Sequence, residues 1–400
     1  MNLMNTKWFA VALAAANTAL AADLPEPKFR AVTVDDKIQI GYGVTTADVD
    51  GDGKTDIVLA DKNQFVWYQN PSWKKHVLAE NLTKLDNVCI AARDIDGDGK
   101  AEIAVGGGWN PNDTTNSGAV FYLIAPKDRT QKWEAVSLPH VPTIHRMRWV
   151  AAPGGAFELV SVPLHGHGNK NGRGEGVPIM TYRKPADPRQ PWTTNVLAKQ
   201  WHKTHNFDTQ PFTSGADVLW VAAAEGISRI ARDARQVSSR LMATNDVGGM
   251  GEVRVGRSGK NLPYFTAIEP MHGTNVAIFT VPTKPGSLMW ERRVIDSTLA
   301  DGHGLACGDL LGLGHDQVVA GWRAMGGKAR VGLKLYTPRD ADMKEWRTTL
   351  VDDNGMACED LCLADLNGDN KLDIIAAGRA TKNVKVYFNE TVFPAAAAKP

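Results

Sequence analysis

The sequence predicts an all-β fold, a seven-bladed β-propeller with four antiparallel strands in each blade. Two repeated patterns lead to this prediction. One is an Asp/Gly-rich loop that precedes a short apolar run, and the other is a strand motif that begins with an aromatic residue. Repeats of roughly forty to sixty residues, each with four short strands, are typical of propeller blades.

The first Asp/Gly loop reads DVDGDGKTD at residues 48–56, and the apolar run IVLA follows it. Carboxylates at alternate positions can surround one hard cation such as Ca²⁺, and the glycines allow the tight bend. An EF-hand requires a Glu at position twelve and a helix after it, whereas position twelve here is Leu59 in a short β-rich run. The loop is therefore predicted to join two strands, which argues against a calmodulin-like sensor.

This loop recurs as DIDGDGKAE at 94–102 and DLNGDNKLD at 365–373, while a fourth copy, DLLGLGHDQ at 309–317, lacks most of the oxygen ligands. We expect structural Ca²⁺ at the first three loops and none at the fourth. A metal-free Asp/Gly turn is the alternative. The expected ligands, with each Lys acting through its backbone carbonyl, are Asp48, Asp50, Asp52, Lys54, Asp56, Asp94, Asp96, Asp98, Lys100, Glu102, Asp365, Asn367, Asp369, Lys371 and Asp373.

The aromatic strand motif, aromatic-x-x-x-Val/Leu-Leu/Ile, marks one strand in each repeat. Its copies begin at Phe29, Trp73, Trp133, Trp192, Trp290 and Trp346, with a weaker copy, VSSRLM, at 237. Seven copies indicate seven blades. Because the last repeat ends on its third strand, NVKVYFNE, the N-terminal FRAVTV should complete the last blade and remove an open sheet edge. Two separate β-domains would need a linker, and the sequence offers none.

The N-terminal 21 residues are typical of a secretory signal, with Lys7, the apolar run WFAVALAAANTAL and the cleavage site Ala19-Leu20-Ala21. We expect residues 22–394 to form one propeller domain, residues 395–400 to form a flexible tail, and the mature protein to be periplasmic or secreted. An uncleaved N-terminal anchor is the alternative. A net charge of +1 over 400 residues argues against nucleic acid as a partner. No later run is apolar enough to span a bilayer.

Four cysteines are too few for a disulfide framework in a chain of this length. Cys358 and Cys362 lie four positions apart on a predicted strand, which is too far for a bridge between them. We expect all four cysteines to be mostly buried, small apolar side chains.

Polar side chains are concentrated at one face of the predicted propeller. The first two strands of a blade are antiparallel, so the start of the first and the end of the second lie on the face opposite the Asp/Gly loops. Since the first strand is innermost, these residues should line the mouth of the central channel. We predict catalysis by His145, Arg146, His165, His205 and His303. We predict substrate binding by Trp109, Asn110, His167, Glu225, His272, Trp322, Arg323, Glu359 and Arg379.

Histidines beside arginines favour β-elimination on a sugar. A neutral His can remove the proton next to a carbonyl or carboxylate, Arg or a metal can stabilise the resulting charge, and a second His can protonate the leaving oxygen. Trp109 and Trp322 would then be stacking platforms. The sequence has no G-x-S-x-G elbow and no Cys at the mouth, which disfavours acyl transfer. Glycoside hydrolysis stays open, since a carboxylate pair could come from Glu225, Glu252, Glu269 and Glu359.

The stretch HGHGNKNGRGEG at 165–176 does not match a phosphate-binding P-loop. We expect it to form a mobile loop over the mouth. His165 and His167 alternate along an extended chain, so they could share a second divalent metal with His205 or His145.

The D-x-D-G-D-G loops resemble those of FG-GAP or VCBS-type propellers. The segments TIHRMRWV, LVSVPLHGHGN, HKTHNFDT, IEPMHGTNV and DGHGLACGDL resemble the propeller domain of aldos-2-ulose dehydratase/isomerase, and several polysaccharide lyases are also seven-bladed propellers. This resemblance implies elimination of water from a keto-sugar such as 1,5-anhydrofructose, at His145, His165 and His205. That family carries additional cupin domains for its isomerase step, and 400 residues leave no room for them, which argues against isomerase activity.

Two other interpretations remain open at this stage. The propeller could bind a glycan or a protein without chemistry. Alternatively, the mouth could be plugged by its own side chains, which is the interpretation favoured if the channel histidines all hydrogen-bond to backbone. The sequence does not indicate the oligomeric state.

Overall fold

The computed structural model describes residues 24–393 except 171, 213–214, 234–235, 325 and 328. The predicted signal segment at 1–21 and the predicted tail at 395–400 lie outside the described residues. Within them the chain forms 28 strands in seven four-stranded antiparallel sheets. This confirms the predicted seven-bladed β-propeller. No helix in this part of the chain could cross a membrane.

Strand β1 (Phe29–Asp35) opens the chain and belongs to the last blade. Blade 1 contains β2 (Gly43–Ala47), β3 (Asp56–Ala60), β4 (Gln64–Gln69) and β5 (Lys74–Glu80). Blade 2 contains β6 (Cys89–Arg93), β7 (Glu102–Gly107), β8 (Ala119–Ile124) and β9 (Glu134–Leu138). Blade 3 contains β10 (Ile144–Ala151), β11 (Phe157–Pro163), β12 (Ile179–Arg183) and β13 (Thr193–Ala198).

The second half of the ring repeats this order. Blade 4 contains β14 (Thr204–Gln210), β15 (Val218–Ala223), β16 (Gly226–Arg232) and β17 (Val237–Ala243). Blade 5 contains β18 (Glu252–Arg257), β19 (Pro263–Glu269), β20 (Asn275–Thr280) and β21 (Glu291–Asp296). Blade 6 contains β22 (Gly302–Gly308), β23 (Gln317–Trp322), β24 (Gly332–Pro338) and β25 (Trp346–Asp353). Blade 7 contains β26 (Cys358–Ala364), β27 (Asp373–Gly378), β28 (Val384–Asn389) and β1.

The ring closes through β1, as the sequence predicts. Strand β1 pairs antiparallel with β28, with Phe29 opposite Asn389 and Val32 opposite Val386. Beyond the register, the Glu390 amide donates to the Lys28 carbonyl at 2.8 Å. The closing strand covers an edge of β28 that would otherwise present unpaired backbone groups.

The core lies between neighbouring blades, and the second strand of each blade is its most buried element. Every residue of β3 and of β7 is buried, as expected for apolar runs covered on both faces. The first strands of adjacent blades contact one another around the centre. Their first residues therefore lie close together, and this proximity positions the site.

The cysteines are free, as predicted, with Cys89 and Cys358 buried and Cys307 and Cys362 half-buried. Cys89 Sγ fills the space above Gly106, where an added Cβ would lie only 2.5 Å from the sulfur. The thiols therefore act as packing groups, and burial raises the pKa of Cys89 to about 12.

Candidate functional site

Four histidines from four successive blades meet at one mouth of the channel, and we call them the histidine cluster. His145, His205 and His303 stand at the starts of β10, β14 and β22, and His272 follows the end of β19. The ring centroid of His205 lies 4.5 Å from that of His145, 4.7 Å from that of His272 and 5.1 Å from that of His303. The antiparallel geometry therefore brings together the two strand ends that the sequence analysis placed on one face.

Backbone carbonyls fix the tautomers of three of these rings. His145 Nδ1 lies 2.6 Å from the carbonyl oxygen of His205, and His303 Nδ1 contacts the carbonyl oxygen of Glu359. His205 Nδ1 lies 3.0 Å from Glu252 Oε1 and 3.1 Å from the Gly251 carbonyl. These oxygens accept hydrogen bonds, so each Nδ1 carries the proton and each Nε2 keeps its lone pair.

This pattern bears on the plugged-mouth interpretation, which expects channel histidines bonded to backbone. The Nδ1 atoms meet that expectation. Within the described residues, however, Nε2 of His145 and of His303 forms no hydrogen bond. In each of these two rings the protein therefore forms a hydrogen bond with only one nitrogen, Nδ1, and Nε2 is left for a ligand.

Three of the Nε2-bearing rings can share a metal, and we call His205, His272 and His303 the metal group. His205 Nε2 lies 2.7 Å from His272 Nε2, and one ring nitrogen from each of the three residues lies within 4.8 Å of the others. Imidazole nitrogens suit Zn²⁺ and related divalent metals. The Glu252 carboxylate on His205 Nδ1 gives the carboxylate–histidine arrangement that orients metal ligands.

The backbone of His272 is held in an unusual conformation, with φ at 58°. A non-glycine residue in the left-handed region costs free energy and is concentrated at functional sites. His272 is exposed, whereas His205 and His303 are buried, so it forms the solvent side of the metal group.

Burial favours the neutral form of these imidazoles. It lowers the pKa of His145, His205 and His303 well below the usual value, with help from the positive charge of Arg146 or Arg323. Desolvation of its ring by the surrounding side chains and the neighbouring His205 also lower the pKa of His272, although the residue as a whole is exposed. The rings are therefore neutral near pH 7, which is the form that binds metal or accepts a proton.

Trp109 forms one wall of the mouth. Its ring stacks on His145 with centroids 5.0 Å apart and an interplanar angle of 28°. The Trp109 amide donates to the Asp86 carbonyl at 2.9 Å, and Tyr42 Oη donates to Asp86 Oδ2 at 2.8 Å. Trp109 is half-buried, so part of the ring stays available to a ligand. Asn110 lies beside it and accepts from the Asp113 amide in the following turn.

Three residues predicted to bind substrate instead bind one another. Arg323 binds Asp301 through two nitrogens, at 2.9 and 3.2 Å, and donates to Glu359 Oε2 at 2.8 Å. Arg379 donates to Glu359 Oε1 at 3.0 Å and lies over the Tyr42 ring. This network fixes the wall around His303 and supplies positive charge there, so these residues position the site.

Trp322 is not at the mouth. It is 7% exposed, belongs to the apolar core between blades 5 and 6, and donates through Nε1 to the Arg330 carbonyl at 2.6 Å. The prediction that Trp322 is a stacking platform is therefore wrong. Trp322 ends its strand opposite Gly332, and its ring fills the space that this glycine leaves.

His165 and His167 do not join the histidine cluster. His167 is exposed, and His165 lines a separate cavity of about 530 Å³ together with Asn112, Lys170 and Lys203. His165 and His167 therefore lie outside the metal group, contrary to the hypothesis that they share a metal with His205 or His145. The loop at 165–176 is anchored by buried Asn169, whose Nδ2 donates to the carbonyls of two residues, Glu175 and His202.

Lys203, in the wall of that cavity, lies two residues before His205 in the chain. Beside it, the Glu225 carboxylate binds both the amide and the Nδ1 of His202, at 2.9 and 3.0 Å. His165 Nδ1 and Glu225 Oε2 are buried without a partner. His202 and Lys203 were missed from the sequence because they precede a strand, although HKTHN carries the signal.

The arrangement of the carboxylates disfavours glycoside hydrolysis. Glu252 contacts Arg254 and His205, Glu269 contacts Arg292, and Glu359 contacts two arginines. A glycosidase requires two carboxyl groups that face the scissile bond, whereas each of these three carboxylates is engaged by other side chains of the protein.

The Asp/Gly loops lie at the opposite face, at the ends of the first strands. The Asp48 carboxylate accepts from the amides of Gly51 and Gly53, at 2.7 and 2.8 Å, and Asp94 repeats both bonds. Asp365 does the same, with Asn370 at φ 63° in the place of the second glycine. The three loops therefore share one backbone frame.

Two of these loops bring three carboxylates together. Ligand oxygens of Asp48, Asp50 and Asp56 lie within 4.8 Å of one another, and so do those of Asp94, Asp96 and Glu102. Burial, with smaller contributions from neighbouring carboxylates, raises the pKa of Asp56 and of Glu102 to about 7. An all-oxygen, acidic donor set fits a hard cation such as Ca²⁺, which would offset this repulsion.

One detail of the first loop differs from the prediction, and one detail of the fourth loop differs from the other three. Asp52 Oδ2 pairs with Lys54 Nζ at 2.8 Å, so this carboxylate stays outside the acidic group. In the fourth copy, Gln317 Oε1 accepts from the Leu311 amide at 2.9 Å, where the other loops use a carboxylate. In the fourth loop a neutral side chain therefore takes the place of the carboxylate, and it accepts from the third residue of the loop, whereas the carboxylates accept from the second.

Comparison with protein families identifies three segments. Residues 48–105 match an FG-GAP-like repeat, and residues 90–123 match an FG-GAP repeat. Residues 117–282 match the β-propeller domain of aldos-2-ulose dehydratase. This last match includes His145, His205 and His272 and ends before His303. No curated protein matches the chain.

Comparison with solved structures supports the fold alone. A chain of the crystal structure of the mitotic checkpoint complex is 12% identical with a TM-score of 0.56, covering 98% of this chain and 99% of that one. The β-propeller domain of Myceliophteria thermophila Cps50 (Swd1) is 12% identical with a TM-score of 0.52, covering 89% of this chain and 99% of that one. The chain is therefore a seven-bladed β-propeller with FG-GAP repeats that resembles the propeller domain of aldos-2-ulose dehydratase.

Proposed function

We propose that this protein is an exported, calcium-stabilised carbohydrate lyase or dehydratase that performs β-elimination on a keto-sugar or a uronate sugar at the histidine cluster. The observation that carries the proposal is the set of Nε2 atoms that backbone carbonyls leave free beside Trp109. The family match over residues 117–282 supports the same chemistry. The apolar N-terminal segment with its cleavage site supports export.

The metal group fits a divalent metal ion. His205, His272 and His303 would hold it, and three His ligands with an open position are the ligand set of catalytic zinc in some hydratases. Such an ion, when bound, supplies a Lewis acid that polarises a substrate carbonyl. Glu252 and the Glu359 carbonyl hold the Nδ1 protons of His205 and His303 so that both rings present Nε2.

His145 is the base in this proposal, because its Nδ1 proton is bound to the His205 carbonyl and its Nε2 is free. Nε2 takes the proton from the carbon next to the substrate carbonyl or carboxylate. The electron pair of that C–H bond forms the new C=C bond, and the C–O bond at the β-carbon breaks. The departing oxygen takes the proton from His145 and leaves as water, or as an alcohol when a glycosidic bond is cleaved.

The surrounding residues bind and orient the sugar. Trp109 offers an aromatic face beside His145, and the neighbouring cavity of about 530 Å³ has room for a sugar ring. Lys170 and Lys203 in its wall would attract the carboxylate of a uronate. Arg323 holds the wall through its bonds to Asp301 and Glu359.

Calcium has a separate role in the proposal. The loops at 48–56, 94–102 and 365–373 would bind Ca²⁺ and join the first and second strands of blades 1, 2 and 7. They lie on the face opposite the histidine cluster. Calcium therefore stabilises the blades and takes no part in the elimination.

The test is ultraviolet absorbance of the unsaturated product. The chain from residue 24 onward is supplied with Ca²⁺ and Zn²⁺ and offered keto-sugars and uronate-containing glycans. We expect absorbance to rise, and His145→Gln to lower the rate by about 10²–10⁴-fold, which is the usual contribution of a general base. His140→Gln is the matched control, since His140 is exposed and lies outside the cluster.

Turnover by folded His145→Gln at the wild-type rate would contradict the assigned base. If no substrate reacts but a glycan binds in calorimetry, the non-catalytic binding module is correct instead. If neither reaction nor binding occurs and no metal binds, the plugged-mouth interpretation is favoured.

Metal analysis tests the metal group independently of turnover. We expect one zinc ion per chain after dialysis, and its loss in the double variant His272→Asn, His303→Asn. Calcium content should be unchanged in that variant, because the Asp/Gly loops lie at the other face. Zinc retained by the double variant would show that the metal is bound elsewhere.

A further inference from the structure

A second polar site lies within the channel itself. It is a cavity of about 360 Å³ whose wall is formed by the first strands of all seven blades. The cavity therefore lies on the propeller axis. Its wall reaches Arg93, which is exposed at the end of β6, so it extends toward the face that carries the Asp/Gly loops.

Three arginines face this cavity with few partners. Arg146 and Arg148 are two positions apart on β10, and Arg254 is on β18; Arg146 and Arg254 are 7% and 8% exposed. A guanidinium has five N–H donors. Within the described residues, each guanidinium forms one hydrogen bond, which goes to a backbone carbonyl. The distance is 3.1 Å for Arg146, 3.2 Å for Arg148 and 2.6 Å for Arg254. Arg146 Nε is buried and has no partner.

The wall carries an excess of positive charge. Its charged side chains are Arg93, Arg146, Arg148, Arg254, Asp208 and Asp360, so four positive and two negative charges leave a net charge of +2. Asp208 and Asp360 accept from backbone amides, at 2.9 Å and 3.0 Å. The ion pair that Arg254 forms is with Glu252, at 3.4 Å. The two aspartates therefore do not occupy the guanidinium donors.

Such an arrangement is unfavourable without a ligand. Buried cations require a counter-ion and hydrogen-bond acceptors. Burial and the charge of Arg254 lower the pKa of the Arg148 guanidinium. An anion with several oxygens would supply both the charge and the acceptors, and arginine binds carboxylate, sulfate and phosphate groups especially well.

We infer that the central channel is a binding site for a small oxyanion, held by Arg146, Arg148 and Arg254. The occupant is either a free inorganic oxyanion or the acidic group of a sugar acid. The inference is independent of the elimination proposed above, because it depends on the channel wall and not on the Nε2 atoms of the histidine cluster.

Calorimetry and thermal unfolding test this inference. The probes are sodium sulfate and sodium glucuronate, compared with sodium chloride at the same ionic strength and with neutral glucose. We expect at least one oxyanion to bind one site per chain and raise the melting temperature, and Arg148→Gln to weaken that binding at least tenfold. Arg240→Gln is the matched control, since Arg240 is exposed on the outer strand β17.

A second variant gives an effect of opposite sign and tests the charge argument directly. Asp208→Asn raises the wall charge to +3 and keeps an acceptor for the Val255 amide, so it should fold and bind the oxyanion more tightly. Binding of sulfate alone identifies a free inorganic ion as the occupant, whereas tighter binding of glucuronate identifies a sugar acid. The inference is overturned if neither probe binds, if Arg148→Gln binds as well as wild type, or if Asp208→Asn does not tighten binding.

Discussion

The second nitrogen of each histidine ring determines what that residue can do. In the cluster, Nδ1 of His145, His205 and His303 is bound to backbone oxygen. Within the described residues, Nε2 of His145 and of His303 is left free, whereas Nε2 of His205 contacts Nε2 of His272. His76 shows the structural alternative, since it is buried and stacked on Trp67 with centroids 4.7 Å apart. Residue type alone does not separate these roles, whereas the neighbours of the ring do, because His205, His272 and His303 bring ring nitrogens within 4.8 Å of one another.

At this scale we predict that Glu252 positions His205 for metal binding. Glu252→Gln removes the negative charge and keeps one acceptor oxygen, which can serve either His205 Nδ1 or Asn206 Nδ2. We expect Zn²⁺ affinity in calorimetry to fall about 10–100-fold, the usual effect of losing a carboxylate behind a metal-ligating His.

The control is Glu345→Gln, at an exposed position remote from the cluster, which should bind Zn²⁺ as wild type does. If Glu252→Gln has unchanged Zn²⁺ affinity while its unfolding free energy falls, Glu252 has only a structural role.

The positions of the clustered histidines could be predicted from sequence because strand starts and ends fall on known faces. The network of Arg323 could not, since its partners Asp301 and Glu359 lie 22 and 36 residues away and only the folded chain brings them together. Trp322 was misplaced because strand alternation gives the face of a side chain but not whether the space above that face is open.

Among the elements, the Asp/Gly loops show that the backbone hydrogen bonds of the loop can form without the carboxylates of the cation site. All four copies use the first Asp to accept from two later amides, including Asp309, which binds the amides of Leu313 and Gly314. The fourth copy replaces the final carboxylate by Gln317. The frame thus arises from Asp and turn geometry, and the additional carboxylates in the other loops supply the charge.

At this scale we predict that calcium stabilises the propeller through the acidic loops. Adding Ca²⁺ at 100 times its dissociation constant should increase the unfolding free energy by about 2.7 kcal/mol per occupied loop. Asp94→Asn should reduce the Ca²⁺-dependent rise in melting temperature measured by thermal unfolding, because it removes one charge from the second loop.

Asp309→Asn serves as the matched control in the fourth loop and should leave the Ca²⁺ response unchanged. Equal responses of Asp94→Asn and wild type would exclude the second loop as a cation site.

Of the channel arginines, the sequence analysis named Arg146 as a catalytic residue of the mouth and missed Arg148 and Arg254, although the pattern that reveals Arg148 is in the sequence. Arg146 and Arg148 alternate on one first strand, and period-two alternation places both on one face. The sequence does not show which groups these arginines contact. The folded chain does show it, because Arg254, from two blades away, lies in the same wall of the cavity.

For the whole molecule, closure of the ring depends on β1. We predict that a chain beginning at residue 36 loses the cover of β28, whose Val384 and Val386 are fully buried. Its melting temperature should fall by about 4 °C or more, and it should self-associate in size-exclusion chromatography, because an exposed strand edge pairs with other chains.

The control is a chain that begins at residue 24. It retains β1 and should therefore keep the melting temperature of the closed propeller. Wild-type stability and a monomeric profile for the shorter chain would show that blade 7 does not require its fourth strand.

The pairing of β1 with β28 joins the first strand of the propeller to its last, with Phe29 opposite Asn389. Blade 7 therefore cannot be completed on the ribosome until the other six blades have emerged. Until then the ring of a nascent chain stays open. The same join also means that new termini could be cut in another blade and the old ones linked, so that the propeller would tolerate circular permutation.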